Sequence, residues 1–329
     1  MNEPSEDEGI EIELDLDDEE LEDLDDDESG DAESDEDESD DDDEDREPFR
    51  SGFVALVGRP NVGKSTLLNA MVGEKVTIVS DKPQTTRTQV RGVVHQSGGQ
   101  LVFVDTPGIH KPVTALGSEL NSSALGALDG VDVAVLVIDA TKPFGTGDRY
   151  VADRLPPKSV VVINKTDRAA RATVLQQLSA ASELNAEAYF AVSARTGEGV
   201  DELVTYLISR MPEGPEYYPE DMSTDLADAT WVAELVREQL FRELEEEMPY
   251  SIATQVTEWE GNRIRCEISV ERESQKGMVI GKGGLVLKKV GTEVRKQLRP
   301  GIHLELFVRV TKNWQSRPET FERFGYRSE

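Results

Sequence analysis

One stretch of this chain has the residue types and spacing to hold a polyphosphate: Gly58-Arg59-Pro60-Asn61-Val62-Gly63-Lys64-Ser65-Thr66. It fits G-x-x-x-x-G-K-[ST], in which glycines let the backbone close on the ligand. Lys64 is placed to reach the β- and γ-phosphates, and the Ser65 hydroxyl to ligate Mg²⁺. An apolar run at 53–57 leads in and a helical pattern at 67–71 leads out. Strand, loop and helix together point backbone N–H groups and a helix N-terminus at an anion. These residues specify a nucleoside triphosphate but not its base.

Three further stretches refine the site. Asp105-Thr106-Pro107-Gly108 follows the apolar run 101–104, where an aspartate serves as a second magnesium anchor through water and the Gly108 N–H faces the γ-phosphate. Asn164-Lys165-Thr166-Asp167 follows the run 160–163. Guanine presents two adjacent donors that the Asp167 carboxylate can accept, whereas adenine would leave it unpaired. Asn164 is expected to tie this loop to the phosphate loop, and the Lys165 stem to cover the base. Ser193-Ala194-Arg195 offers a backbone N–H to the guanine oxygen. Between the first two stretches, the polar residues 80–88 have the composition of a mobile loop. From it Thr86, next to Arg87, is favoured over Thr85 to reach Mg²⁺, so Ser65, Thr86 and Asp105 form the metal set.

The elements that must position these groups are legible in the pattern. Apolar runs at 53–57, 101–104, 133–138, 160–163 and 189–192, with a patchier one at 89–94 suited to a sheet edge, alternate with helical patterns at 64–72, 115–128, 171–184 and 199–210. That alternation predicts an α/β domain with a mainly parallel sheet at 51–212. Ligands in such sheets lie beyond the carboxyl ends of the strands, where every motif above falls.

After a linker at 213–225 the composition changes. A long amphipathic helix at 226–247, strands at 251–259 and 263–271, a short helix, Gly281-Lys282-Gly283-Gly284, a helix at 285–298 and a strand at 302–310 follow. Helix–strand–strand–helix–helix–strand around Gly-x-x-Gly is the α+β type II KH arrangement, here at 226–329, and its glycine loop clamps single-stranded nucleic acid. Gly281 and Gly284, with Gly283 between them, admit the backbone of the strand. Lys282, Lys288 and Lys289 add charge, and Met278, Val279 and Ile280 are expected to floor the base groove. Residues 276–312 hold nine Lys/Arg against two Asp/Glu, the footprint of phosphate contact.

Charge is unevenly spread along the 329 residues. The net charge is −32, but residues 1–45 alone contain 29 Asp/Glu and no Lys/Arg, leaving 38 acids against 35 bases elsewhere. Residues 1–47 therefore read as a disordered acidic tail, with Ile10, Ile12, Leu14 and Leu16 alternating with acids. The single cysteine, Cys266, excludes a disulfide framework within the chain and reads as a small buried apolar residue. No apolar run has the length to span a bilayer and the N-terminal residues are acidic, so a cytoplasmic location is expected, with peripheral association at the inner membrane face left open.

The wording GRPNVGKSTLLNA, KPQTTR, DTPGIHKP, NKTD and SARTGEG, in this order, resembles the bacterial Era family of GTPases, and the resemblance runs over residues 52–326. It implies a GTPase domain followed by a KH domain, GTP and GDP as ligands, Mg²⁺ as cofactor, and a partner in 16S ribosomal RNA during small-subunit assembly. Two alternatives stay open: a GTPase of tRNA modification, and an RNA chaperone that uses GTP only structurally.

The catalytic set expected is Lys64, Asn61, Thr86 and Gly108. Familiar GTPases orient the attacking water with a glutamine just after Asp-x-x-Gly. Here that place holds Ile109, and the adjacent His110 reads as a bystander. In related GTPases lacking the glutamine, an asparagine at the place of Asn61 helps bind K⁺ beside the phosphates, so slow hydrolysis stimulated by K⁺ is expected.

Overall fold

The computed structural model describes residues 48–244 and 248–326. The acidic tail, and the 245–247 end of the expected long helix, lie outside the described residues.

The first domain is one twisted sheet with helices on both faces. Its strands are β1 (Arg50–Val57), β2 (Val90–Gln96), β3 (Gly99–Asp105), β4 (Val133–Asp139), β5 (Ser159–Asn164) and β6 (Ala188–Ala191), in the order β2-β3-β1-β4-β5-β6. All neighbours run parallel except β2, which lies antiparallel to β3 at the edge. β4 is buried along its whole length, which explains its unbroken apolar sequence: a central parallel strand has both faces covered. The covering helices are α1 (Lys64–Val72), α2 (Ala115–Gly126), α3 (Thr146–Ala152), α4 (Arg171–Ala181) and α5 (Val200–Ser209). In α5 the buried Val200, Leu203, Val204 and Leu207 repeat at i, i+3, i+4 and i+7, the stripe that faces a core. α3 has no counterpart in the sequence reading. It is seven residues long, too short to show a period, and is preceded by Gly145 as its N-cap.

The segment 213–225 that joins the domains is laid along the sheet. Gly214 N donates to Phe49 O, and Ser51 Oγ donates to Pro215 O at 2.6 Å. The buried Gln100 side chain accepts from Tyr217 N and Tyr218 N and donates to Tyr218 O, which accounts for an amide inside a strand.

The second domain packs α6 (Asp228–Glu243), α7 (Glu273–Ile280) and α8 (Leu285–Arg295) on a sheet of β7 (Ala253–Glu260), β8 (Arg263–Val270) and β9 (His303–Val310). β7 and β8 are antiparallel, while β8 and β9 are parallel. Leu287, Val290 and Val294 of α8 face inward, each worth roughly 2 kcal/mol in burial, so Lys288 and Lys289 must point out. Val279 is fully buried in this core rather than flooring the groove, because the helical turn of α7 sends Met278 outward and Val279 inward. After β9, residues Trp314, Phe321, Phe324 and Tyr326, the last two flanking α9 (Pro318–Arg323), join Ala253 of β7 and Leu116 and Leu120 of α2 in a cluster that spans the two domains.

Cys266 sits on β8 with no exposed surface, and burial pushes its thiol up to about 12. A thiol so placed is inert. The expected outcome with an aromatic disulfide reagent at pH 8 is no labelling of the native protein and one thiol per chain after denaturation.

Candidate functional site

The phosphate-binding stretch bridges β1 and α1 at the carboxyl ends of the strands, where chain order diverges to β3 on one side and β4 on the other. Lys64 is buried, its Nζ 3.4 Å from Gly58 O and 3.5 Å from Arg59 O. Burial lowers its pKa to about 8, with the Asp105 carboxylate acting in the opposite direction. The Arg59 guanidinium pairs with Asp148 of α3 at 3.2 Å.

Beside Lys64, three oxygen-bearing side chains converge. Ser65 Oγ donates to Asp105 Oδ2 at 2.7 Å, Thr86 Oγ1 to the same oxygen at 3.2 Å, and the two hydroxyls are 3.0 Å apart. Asp105 is wholly buried, yet its Oδ1 has no hydrogen-bond partner. Burial pushes the Asp105 pKa up, against the Lys64 charge and the two hydroxyls. Two hydroxyls and a carboxylate with a bare oxygen are the donors a hard divalent cation takes. Thr85 is not part of this group: its Oγ1 donates to Lys82 O at 2.6 Å.

The segment after β3 is stitched to the phosphate loop. Thr106 Oγ1 donates to Leu56 O at 2.7 Å and Ile109 N to Gly58 O at 3.0 Å, with Pro107 buried between them. A Cβ on Gly108 would stand 2.7 Å from Pro60 N and Cα, so only glycine admits this approach. Ile109 is in the core, and the His110 ring lies between its own loop and the loop 80–88, Nδ1 2.9 Å from Gly108 O and Nε2 3.3 Å from Gln84 Nε2.

On the base side, Asn164 is the tie. Its Nδ2 donates to Val62 O at 3.0 Å, and its Oδ1 accepts from Ala194 N at 3.1 Å and Lys165 N at 2.7 Å. A guanine oxygen reaching Ala194 would share that donor. Lys165 Nζ donates to Asn61 O and to Asp139 Oδ2 at 2.8 Å. Burial works against the Asp139 carboxylate, but Lys165 and two hydrogen bonds from Thr141 outweigh it and hold its pKa below the usual range. The exposed Asp167 accepts from Ser193 Oγ at 2.9 Å. Gly63, Thr66, Asn164, Lys165, Asp167 and Ala194 help line a cavity of about 170 Å³, with the Asp167 carboxylate at its wall. Asp139 escaped the sequence reading although it ends β4 as Asp105 ends β3. Inspecting the last residue of every core strand would have found it.

In the second domain the glycine loop turns sharply between α7 and α8. Gly281 has φ 74°, and a Cβ there would strike Val286. Lys282 and Lys288 are exposed, whereas Lys289 Nζ pairs with Glu243 at 2.8 Å. Met278 is 56% and Leu285 64% exposed, and Ile280 is half-buried beside them in sequence. Leu285 was not among the expected groove residues. An apolar residue directly after Gly-x-x-Gly, off the α8 core stripe, was the available signal.

Residues 53–165 match the family described as 50S ribosome-binding GTPase, and residues 247–315 match the KH domain family. The chain is similar to GTPase Era of Mycobacterium tuberculosis, 44% identical over 297 residues that span 84% of this chain and 99% of that one. It is similar to GTPase Era of Geobacter metallireducens, 41% identical over 293 residues, 85% and 98% of the two chains. A single-substitution variant of Aquifex aeolicus Era bound to GDP·AlF₄⁻ matches with a TM-score of 0.81 and 38% identity over 85% of this chain and 100% of that one. A structure of Era in complex with MgGDPNP and nucleotides 1506–1542 of 16S ribosomal RNA matches with the same values.

Lys64 gives a measurable proton linkage. With a pKa of about 8 in the free site, roughly half the chains carry a neutral amine at pH 8, and a polyanion beside it restores the charge. Calorimetry in two buffers of different ionisation enthalpy should show uptake of about half a proton per nucleotide at pH 8. The Lys64 contribution, read as the difference from Lys64→Met, should fall to almost nothing at pH 6.

Proposed function

The chain belongs to the Era family of GTPases, and from that premise we propose that it is a GTP-driven switch acting on single-stranded ribosomal RNA. It hydrolyses GTP to GDP and phosphate. The observation that carries the switch reading is the convergence of Ser65, Thr86 and Asp105, because it joins the loop 80–88 to the place where a phosphate-bound metal would sit.

The donor set fits Mg²⁺, which Ser65, Thr86 and Asp105 would hold. When bound, the ion neutralises charge on the β- and γ-phosphate oxygens. The chain's own residues do the rest. Lys64 and the backbone N–H groups from Gly63 to Thr66 cradle the phosphates, and the Gly108 N–H faces the γ-phosphate. Asp167 accepts the two guanine donors, and Lys165 lies over the base while bridging Asn61 and Asp139. The attacking water has no side-chain base, since Ile109 is buried and His110 is engaged within its loop. Hydrolysis is therefore slow and depends on positioning.

Asn61 is the remaining catalytic candidate. It has φ 63°, and its Nδ2 donates to Asp81 O at 2.6 Å. We assign Oδ1 to a K⁺ ion beside the phosphates, where an arginine would otherwise supply charge.

The KH groove, with Gly281 to Gly284, Lys282, Lys288, Met278 and Ile280, and with Leu285 added, suits a single strand held by its backbone with bases against apolar side chains. A relative crystallised with nucleotides 1506–1542 of 16S ribosomal RNA supports that RNA as the target, and small-subunit assembly is the process we assign to it. The tRNA-modification alternative loses its thiol, since Cys266 is buried and unreactive.

Two experiments test this reading. In single-turnover assays, a 3′-terminal small-subunit RNA fragment should raise the hydrolysis rate, and Lys64→Ala should lose hydrolysis while keeping RNA binding. Equal rates with and without RNA would leave GTP a structural ligand. Replacing K⁺ by Na⁺ should slow turnover about tenfold, as expected for losing one preorganised charge, and Asn61→Ala should abolish the difference between the salts. Equal turnover in both salts would remove the cation.

A further inference from the structure

Arg87 follows Thr86 in the chain, and the two side chains point into different domains. Thr86 Oγ1 lies with Ser65 and Asp105 at the phosphate end of the first domain. The Arg87 guanidinium is only 1% exposed, and it is buried in the second domain. Its Nη1 donates to Ile252 O at 2.5 Å and to Tyr326 Oη at 3.3 Å. Its Cζ lies 5.6 Å from the Trp314 ring centre and 5.4 Å from that of Tyr326. The receiving cage is itself buried and hydrogen-bonded. Trp314 has no exposed surface, its Nε1 donates to Ser251 O at 2.9 Å, and Thr320 Oγ1 donates to Trp314 O at 2.5 Å.

A second connection ends on the same aromatic cluster. Asn121 of α2 accepts from His110 N at 3.2 Å and donates to His110 O, so the segment carrying Gly108 is tied to α2. Leu116 and Leu120 of the same helix join Trp314, Phe321, Phe324 and Tyr326 in one buried cluster. The loop carrying Thr86 and the segment carrying Gly108 are therefore both connected to the aromatic cluster of the second domain.

We propose that Arg87 is a positioning residue through which the KH domain and its C-terminal segment set Thr86 at the metal, so that hydrolysis is controlled in cis by the RNA-binding half. The constraint is geometric. Consecutive Cα atoms are about 3.8 Å apart, so a fixed Arg87 leaves Thr86 little range. A displacement of about 1 Å there is enough to cost catalysis. This inference rests on the reading of Thr86 as a metal ligand.

The test uses the full chain with Arg87→Lys, Tyr326→Phe and Thr86→Ala. Each is measured for kcat, KM, the Mg²⁺ concentration giving half-maximal rate, and affinity for GDP and for a non-hydrolysable GTP analogue. Arg87→Lys keeps charge but loses the planar fork, and should lower kcat about tenfold while raising the Mg²⁺ requirement. GDP affinity should stay at the wild-type value, because Thr86 acts only when the γ-phosphate is present. Tyr326→Phe, which removes one hydrogen bond, should lower kcat about threefold with the same signature. Unchanged kcat and analogue-to-GDP ratio in both variants would overturn the proposal, and so would a parallel loss of GDP binding. Should Arg87→Lys not fold, Tyr326→Phe decides alone. If Thr86→Ala hydrolyses normally, the metal-ligand reading fails. If Thr86→Ala is impaired while Arg87→Lys and Tyr326→Phe are not, only the positioning role fails.

Discussion

Asp105 ends β3 inside the protein, with one carboxylate oxygen shared by the Ser65 and Thr86 hydroxyls and the other bare. A carboxylate removed from water costs several kcal/mol unless it is paired. The pairing within the chain is incomplete, as the raised pKa records. Lys64 has the converse problem, its ammonium held by two backbone carbonyls at long range and its pKa lowered by burial. Each group relieves the other in part, and a metal-bound polyphosphate would relieve both at once. Ligand affinity here is therefore built from the unmet demands of buried charges, and the neighbouring loops are shaped by what those charges can reach.

The first loop drawn in is 80–88, through Thr86. The second is the segment after β3, whose Thr106, Gly108 and Ile109 are fixed to β1 and the phosphate loop by hydrogen bonds and by a contact too close for a Cβ. The third is the loop after β5, where Asn164 and Lys165 reach back to Val62 and Asn61. Three loops that are distant in sequence thus share one phosphate loop as their common support. Because each is held by directional bonds rather than by apolar area, a change in one is felt by the others as a change of geometry.

The sequence disclosed these groups unevenly, for identifiable reasons. Lys64, Asp105, Asn164 and Asp167 were legible because each stands at a fixed offset from a core strand, and strand runs such as 133–138 are unambiguous when both faces are buried. The KH domain was legible from its element order and its glycine loop. Asp148 was not, because it acts through Arg59, far away in sequence, and only the fold brings them together; Asp139 stands at a strand end as Asp105 does, but its partner Lys165 is visible only in the fold. Val279 was misplaced because a three-residue apolar run carries no helical phase, which was fixed only by packing on the second sheet. The inward course of Arg87 was hidden for a similar reason. A polar loop reads as exposed, and nothing local reports that a second domain covers it.

The seam between the domains is notable for the charge it buries. Glu238 of α6 is 1% exposed, accepts from Lys75 Nζ at 2.7 Å and Val79 N at 3.1 Å, and meets Arg242 at 3.3 Å. Lys75 also lies over the Trp231 ring and donates to Gln297 at 2.7 Å. At the other end Arg87 enters its aromatic cage. Apolar contact alone would leave the two domains free to slide, since the hydrophobic effect has no direction. Hydrogen bonds from buried charges admit one register, and breaking them without replacement is costly. Residues 75–79 and Arg87 flank the loop that carries Thr86, so the two polar anchors hold that loop at both ends against the RNA-binding domain. A motion of that domain large enough to open the seam must break one anchor or carry the loop with it, and either course reaches Asp105.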